Sequence, residues 1–296
     1  MLSSTLQFFD RRMAARRRRA AQRLALDAVQ AFPTIIEKGS HGLDTPLVIS
    51  LTSYAKRFGT LSYTIKSLLD QDVQYDRLIL WVGRDDYDLL PSDVQILEGD
   101  IFEVRVTTDI RSYTKLIPAL REFPEAYIVT ADDDIHYPTN WLSTILRGYV
   151  PGRRMTVCRR AHMALVDGAG VTTSYASWPH SIGDQIDPGS GRALFPTGVG
   201  GVLYPPSTFS EEVLNETAFI DLCPFADDIW FFWMQLINNV ERRRVGSVEK
   251  FVTWPSTQET GLLNDNLHLG RNDSQLLALE RRYGKLESFI GRVDPD

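Results

Sequence analysis

Residues 128–142 read IVTADDDIHYPTNWL, and their order decides the fold. The run 127–130 is apolar and β-prone, as in a short strand buried on both faces. It leads directly into Asp132, Asp133 and Asp134. Pro138 then falls where the first turn of a helix is expected, and Trp141, Leu142, Ile145, Leu146 and Tyr149 mark its buried face. Three adjacent carboxylates at the end of a buried strand repel one another and lose hydration. A hard cation bridged to a phosphate relieves both costs. An acidic loop that caps the following helix is the other reading.

Working outward, the same alternation recurs upstream. Residues 47–51 are a short apolar run, 77–82 read as the second strand, and Phe102, Val104 and Val106 alternate as a third. Between the first two, residues 60–70 put Leu61, Ile65, Leu68 and Leu69 on one helical face. Repeated strand and helix at this spacing predict an α/β fold with an open, mostly parallel sheet and helices on both faces. Ligands of such sheets bind beyond the carboxyl ends of the strands, and the acidic triplet stands at such an end. Downstream, residues 151–194 carry several Gly, Pro, Ser and aromatic residues, and 195–206 is a Gly-rich stretch that becomes a strand. Asp227 and Asp228 open a helix whose residues 229–234 are apolar on every side, which predicts burial. A last helix is expected over 274–283.

The chain has 296 residues, enough for one large domain, and a net charge of −6. The charge is unevenly spread: residues 1–40 carry +5 and the rest −11. An acidic body argues against nucleic acid as the main partner. Residues 1–31 predict a basic helix with seven arginines. It either packs on the body or a second chain, or rests on anionic lipid as a peripheral contact. The division expected is a basic helix and linker over 1–40 and a catalytic body over 41–296. Within the body, a nucleotide-binding half covers 45–150 and an acceptor and catalytic half 151–296. Cys158 and Cys223 make no disulfide framework, so a reducing cytoplasm is expected, with peripheral contact at the inner face of the membrane. No apolar run is long enough to span a bilayer, and the N-terminus lacks the layout of a signal peptide.

Four segments in this order resemble GT-A glycosyltransferases, especially bacterial family 2-like enzymes of surface polysaccharide synthesis. IVTADDDIHYPTNWL resembles their Asp-x-Asp segment, and LVISLTSYAKRF (47–58) their first strand and nucleotide-contacting loop. FPTGVGGVLYPP (195–206) resembles their Gly-rich donor and acceptor segment, and ADDIWFFWM (226–234) the block that supplies the base. The resemblance covers roughly residues 45–270. It implies a GT-A, Rossmann-like fold, a nucleotide-sugar donor, a glycan or lipid-linked glycan acceptor, and Mn²⁺ or Mg²⁺. It implies that Asp134 ligates the metal directly and that Asp132 reaches the ribose, or the metal through water, with Asp133 between them. It implies that Asp228 is the base that deprotonates the acceptor hydroxyl and that Asp227 orients the acceptor. The family pattern has Glu then Asp where this chain has two Asp, so which of the pair acts as base stays open. His268 falls where a late histidine ligand would lie, and a loop histidine is the other reading.

Further donor contacts are expected from the loop that begins at Thr52, with Tyr54 and Arg57 for base stacking and phosphate contact. Lys115 and Asp109 are added to these. Gly200 and Gly201, with Gly198 and Thr197, would let the backbone approach the donor sugar; a bulged strand is the plainer alternative. For Asp227 and Asp228 the plainer alternative is a double helix cap. His162 and His180 flank Tyr175 and Trp178, aromatic faces that suit an acceptor sugar or ordinary packing. A nucleotidyltransferase would carry a Gly-rich loop after the first strand, and a phosphatase its Asp-x-Asp there; neither pattern is present. A catalytically inactive relative kept as a scaffold is the competing functional class.

Overall fold

A computed structural model describes residues 2–183, 191–247, 251–255 and 270–291, with side chains from residue 12 onward. A helix spans Leu2–Gln30. Eleven strands follow among the described residues: β1 (Leu47–Thr52), β2 (Arg77–Gly83), β3 (Phe102–Thr107), β4 (Tyr127–Thr130), β5 (Ile135–His136), β6 (Met155–Cys158), β7 (Ala161–Met163), β8 (Leu194–Pro196), β9 (Val202–Tyr204), β10 (Glu241–Arg244) and β11 (Val252–Thr253). Seven of them form one sheet in the order β10-β6-β9-β4-β1-β2-β3. β9 runs antiparallel to both its neighbours, and the other pairings in the sheet are parallel.

The strand sequences explain the two-faced burial. Leu47, Ile49 and Leu51 of β1 join one core with Ile65, Leu68, Trp141 and Ile145. Val48, on the opposite face, joins a second core with Ile117, Ile229, Trp230 and Phe232. The helices Leu61–Leu69 and Trp141–Gly148 cover the first face, and Ile117–Glu122 and Asp227–Ile237 the second. Strands sealed on both sides have no use for alternation with polar residues, which is why they read as continuous apolar runs.

Several expectations shift. The helix after the acidic triplet begins at Trp141, not at Pro138. The Pro138 carbonyl instead accepts from the Trp141 N–H (2.8 Å) and from Gln71 Nε2 (3.1 Å). Its N-cap is Asn140 without a side-chain cap bond, so the triplet caps nothing. The helix Asp227–Ile237 likewise has Ala226 at its N-cap and no side-chain cap, so Asp227 and Asp228 are first-turn residues rather than caps. The last expected helix starts earlier, at Arg271, behind Gly270 in the left-handed region. Cys158 and Cys223 are buried, unpaired thiols. Among the described residues no helix is long and apolar enough to cross a membrane.

Gly201 shows how tightly the sheet edge is packed. Its φ is +98°, and a Cβ there would lie 2.6 Å from the Trp141 ring and 3.0 Å from the Thr130 carbonyl. Gly152, at φ +79°, has nothing within 4 Å of the same position. Gly152→Ala should therefore cost only backbone strain, about 1 kcal/mol. Gly201→Ala adds overpacking and should cost about 3 kcal/mol or more. Denaturant unfolding of both variants checks the difference; equal losses would contradict the packing at Gly201.

Candidate active site

β1 and β4 lie side by side and end together, so the loop after β1 faces the triplet after β4. Arg57, in the short helical turn Ala55–Thr60, places Nη2 2.9 Å from Asp133 Oδ1 and 2.6 Å from Asp134 Oδ2. Ser53 Oγ donates to the other Asp133 oxygen (2.6 Å). The backbone of the triplet is pinned as firmly. The Asp132 N–H donates to Tyr137 Oη (2.7 Å), and Thr64 Oγ1 donates to the Asp133 carbonyl (2.9 Å). Trp254 donates its N–H to the Asp134 carbonyl (3.0 Å) and its indole N–H to Thr64 Oγ1 (2.8 Å).

Lys115 links the triplet to the second acidic pair. Its ammonium lies 3.7 Å from Asp132 Oδ1 and 3.4 Å from Asp227 Oδ2. The Lys115 backbone is tied to β1, because Ser50 Oγ donates to its carbonyl (2.6 Å) and itself accepts from the Trp81 indole (2.8 Å). Asp228 turns away from its own helix and accepts the Gly198 N–H at Oδ1 (2.9 Å). A Cβ on Gly198 would stand 2.5 Å from the Lys115 ammonium and 3.2 Å from that oxygen, so the glycine leaves room for the ion pairs. Arg160, beyond the end of β6, donates Nε–H to Thr197 Oγ1 (2.7 Å).

Five carboxylates thus share a cleft with Arg57, Lys115 and Arg160, which leaves two negative charges in excess when all are ionised. The titrations follow. Burial raises Asp132, with Lys115 opposing and Asp134 and Asp227 adding to the rise. Burial also raises Asp133, to about 6, against the pull of Arg57 and Ser53. Asp228 is pushed upward by burial and then by Asp227, with Lys115, the Gly198 N–H and Arg160 opposing. Burial works against the charge on Lys115, but Asp227, Asp132 and Asp228 outweigh it and hold the ammonium well above its usual value.

Other expected residues are more dispersed. The Thr52 hydroxyl donates to the Trp81 carbonyl (2.9 Å) and so stabilises the sheet end. Tyr54 is exposed beside Arg57. Asp109 is exposed and accepts the Arg111 N–H (2.7 Å), bracing the turn that leads to Lys115. Gly200 and Gly201 are backed by the Phe251 and Trp141 rings, and the Gly200 carbonyl accepts the Trp141 indole N–H (2.6 Å). His162 stacks on His180 at 4.2 Å and lies edge-on to Tyr175 at 5.9 Å. Burial, with His180 and Arg160 beside it, pushes the His162 imidazole down to about 3, so it is neutral and accepts the Ser181 N–H at Nδ1 (2.9 Å). Trp178 is buried against Phe195. His268 lies outside the described residues.

Among the described residues no three His, Cys, Asp or Glu side chains form a ready-made metal cage. A cation of the Mg²⁺ type commonly takes only one or two carboxylates and completes its shell with phosphate oxygens and water. The cleft fits that kind of binding. Its donors are all oxygen, it carries excess negative charge, and Asp132 Oδ2 is buried without a hydrogen-bond partner.

Sequence reading missed Arg160, Ser53, Thr64 and Trp254. Arg160 had a usable signal, a basic residue just past the buried run 155–158, which is the logic that singled out the triplet. Trp254 had none, because its role arises from a pairing of β11 with β5 across more than a hundred residues.

No family model matches the chain, and no curated protein matches it. Solved structures do. A mannosyltransferase from Pyrobaculum calidifontis in complex with GDP-Man and Mn2+ superposes with a TM-score of 0.51 at 14% identity, covering 90% of this chain and 72% of that one. A 4-diphosphocytidyl-2C-methyl-D-erythritol synthase from Anaerococcus prevotii gives 0.43 at 12% identity, over 78% and 96% of the two chains. A CMP:2-keto-3-deoxy-manno-octonic acid synthetase with CTP gives 0.41 at 13%, over 76% and 100%. The last two are too distant to carry an argument. The first shows a shared fold, a mostly parallel α/β sheet flanked by helices.

Proposed function

We propose that this protein is a glycosyltransferase that moves a sugar from a nucleotide-sugar donor to an acceptor hydroxyl, with inversion, in the assembly of a bacterial glycan or polysaccharide. One observation carries the reading: two acidic clusters from distant parts of the chain meet across Lys115 at the carboxyl edge of the sheet. The fold shared with a transferase holding GDP-Man and Mn2+ supports the donor class and a divalent metal.

In this reading residues 45–150 of the catalytic body, 41–296, serve the donor and residues 151–296 the acceptor. Asp132 and Asp134 hold Mn²⁺ or Mg²⁺, which when bound supplies the charge that stabilises a departing nucleoside diphosphate. Arg57 and Lys115 direct their cations to phosphate oxygens, and Tyr54 offers a face to the base. Asp133 keeps Arg57 in place. Thr52, Gly200 and Gly201 shape the donor side from behind through Trp81, Phe251 and Trp141. Asp228 takes the proton from the acceptor hydroxyl. Its burial and the adjoining Asp227 raise its affinity for that proton above that of a solvated carboxylate, which suits a general base near neutral pH. Asp227 holds Lys115 and orients the acceptor.

Two substitutions separate the donor and acceptor roles. Asp228→Asn keeps size and most hydrogen bonding, so metal-dependent donor affinity should stay near wild type while transfer falls roughly 10²-fold or more. Asp134→Asn should damage donor binding and transfer together. Calorimetric titration of the donor beside single-turnover transfer rates decides the matter. Wild-type transfer in Asp228→Asn would move the base to Asp227, and full activity of Asp134→Asn would remove the metal assignment.

A pH profile tests the coupling. Lys115 favours the deprotonated form of Asp228, so in Lys115→Met the carboxyl should keep its proton to higher pH. The acid limb of kcat/KM should therefore move toward alkaline pH. An unshifted limb would show that the group titrating in catalysis is not Asp228 under the influence of the Lys115 charge.

A further inference from the structure

The helix Leu2–Gln30 carries a face that the fold leaves unused. Its last turns grip the body: Ala25 and Val29 are each 3% exposed and pack with Trp254. Gln22 Nε2 donates to the Thr253 carbonyl (2.8 Å). Residues 12–20 are all exposed, including Arg12, Arg16, Arg17, Arg18 and Arg19. Met13 is 48% and Leu24 70% exposed. At 3.6 residues per turn, positions 13, 20 and 24 fall within about 40° of one another, and positions 22, 25 and 29 fall roughly opposite. Arg16 and Arg17 flank the stripe on either side, and no acidic residue occurs from 11 to 26.

We propose that this outer face docks in the plane of an anionic lipid surface, with Met13, Ala20 and Leu24 entering the boundary between headgroups and acyl chains and the arginines meeting lipid phosphates. A narrow apolar stripe edged by arginines is the pattern such helices use. A second copy of the chain is a poor occupant, because pairing through this face would bring two arginine runs together. A nucleic acid would meet the charges but leave Met13 and Leu24 in water. The same helix rests on Trp254, which binds the Asp134 carbonyl, so docking would hold the acidic cleft close behind the lipid-bound helix. That geometry suits an acceptor carried on a lipid. Docking depends on the helix alone and not on the proposed chemistry.

The test is flotation of the full-length protein with vesicles of phosphatidylcholine alone and of phosphatidylcholine mixed with phosphatidylglycerol. Binding is expected to the mixed vesicles at low salt and should weaken as salt rises. Replacing Arg16, Arg17, Arg18 and Arg19 together with Gln should lower partitioning on the order of a hundredfold. Met13→Ser with Leu24→Ser should lower it roughly tenfold. These side chains are exposed, so melting should stay at the wild-type value. Donor turnover with a water-soluble acceptor should also be unchanged, which separates loss of docking from loss of chemistry. The proposal is overturned by absence of flotation at low salt, by equal flotation with neutral vesicles, or by undiminished binding in either variant. It is also overturned if light scattering shows a dimer that Met13→Ser with Leu24→Ser separates.

Discussion

Lys115 stands between Asp132, at the end of β4, and Asp227, at the start of the helix Asp227–Ile237, and much of the cleft depends on that position. Without it, acids contributed by distant parts of the chain would face each other across a largely buried space. A buried ammonium among carboxylates is costly to assemble and costly to break, because removal of one partner strands the others. The fold meets that cost with geometry. The Trp81 indole orients Ser50, and Ser50 holds the Lys115 backbone against β1. Gly198 lacks a side chain where one would press on the ammonium.

The reversed strand β9 is what brings the second cluster to the first. Its pairing with β4 on one side and β6 on the other closes the sheet. The loop before it delivers the Gly198 N–H to Asp228. Trp141 fixes that loop by donating to the Gly200 carbonyl, while its ring fills the space beside Gly201. A residue on the helix that follows the acidic triplet therefore shapes the loop that holds Asp228. The two acidic clusters are built from shared walls, so a change in either is felt in both.

Trp254 extends this coupling to the N-terminal helix. Its ring fills the seam against Ala25 and Val29, its backbone N–H holds the Asp134 carbonyl, and its indole N–H holds Thr64. Thr64 in turn bonds the carbonyls of Asp133 and Ile135. The basic helix is thus joined mechanically to the turn that presents the carboxylates.

The sequence by itself determined the sheet and its acidic edge. Residues 47–51, 78–82 and 127–130 are largely apolar because strands covered on both faces must be, and that requirement is local enough to read from a few neighbours. The triplet was legible for the same reason, since charge is conspicuous at the end of such a run. Tertiary structure alone decided the rest. β5 and β11 are two residues each, too short for any period, and exist only through their mutual pairing. Whether Asp228 caps its helix or reaches Gly198, and whether Arg57 finds Asp133 and Asp134, depends on where distant loops come to rest. Those contacts are long-range electrostatic and hydrogen-bonding choices, and a linear pattern records the presence of charges but not their distances.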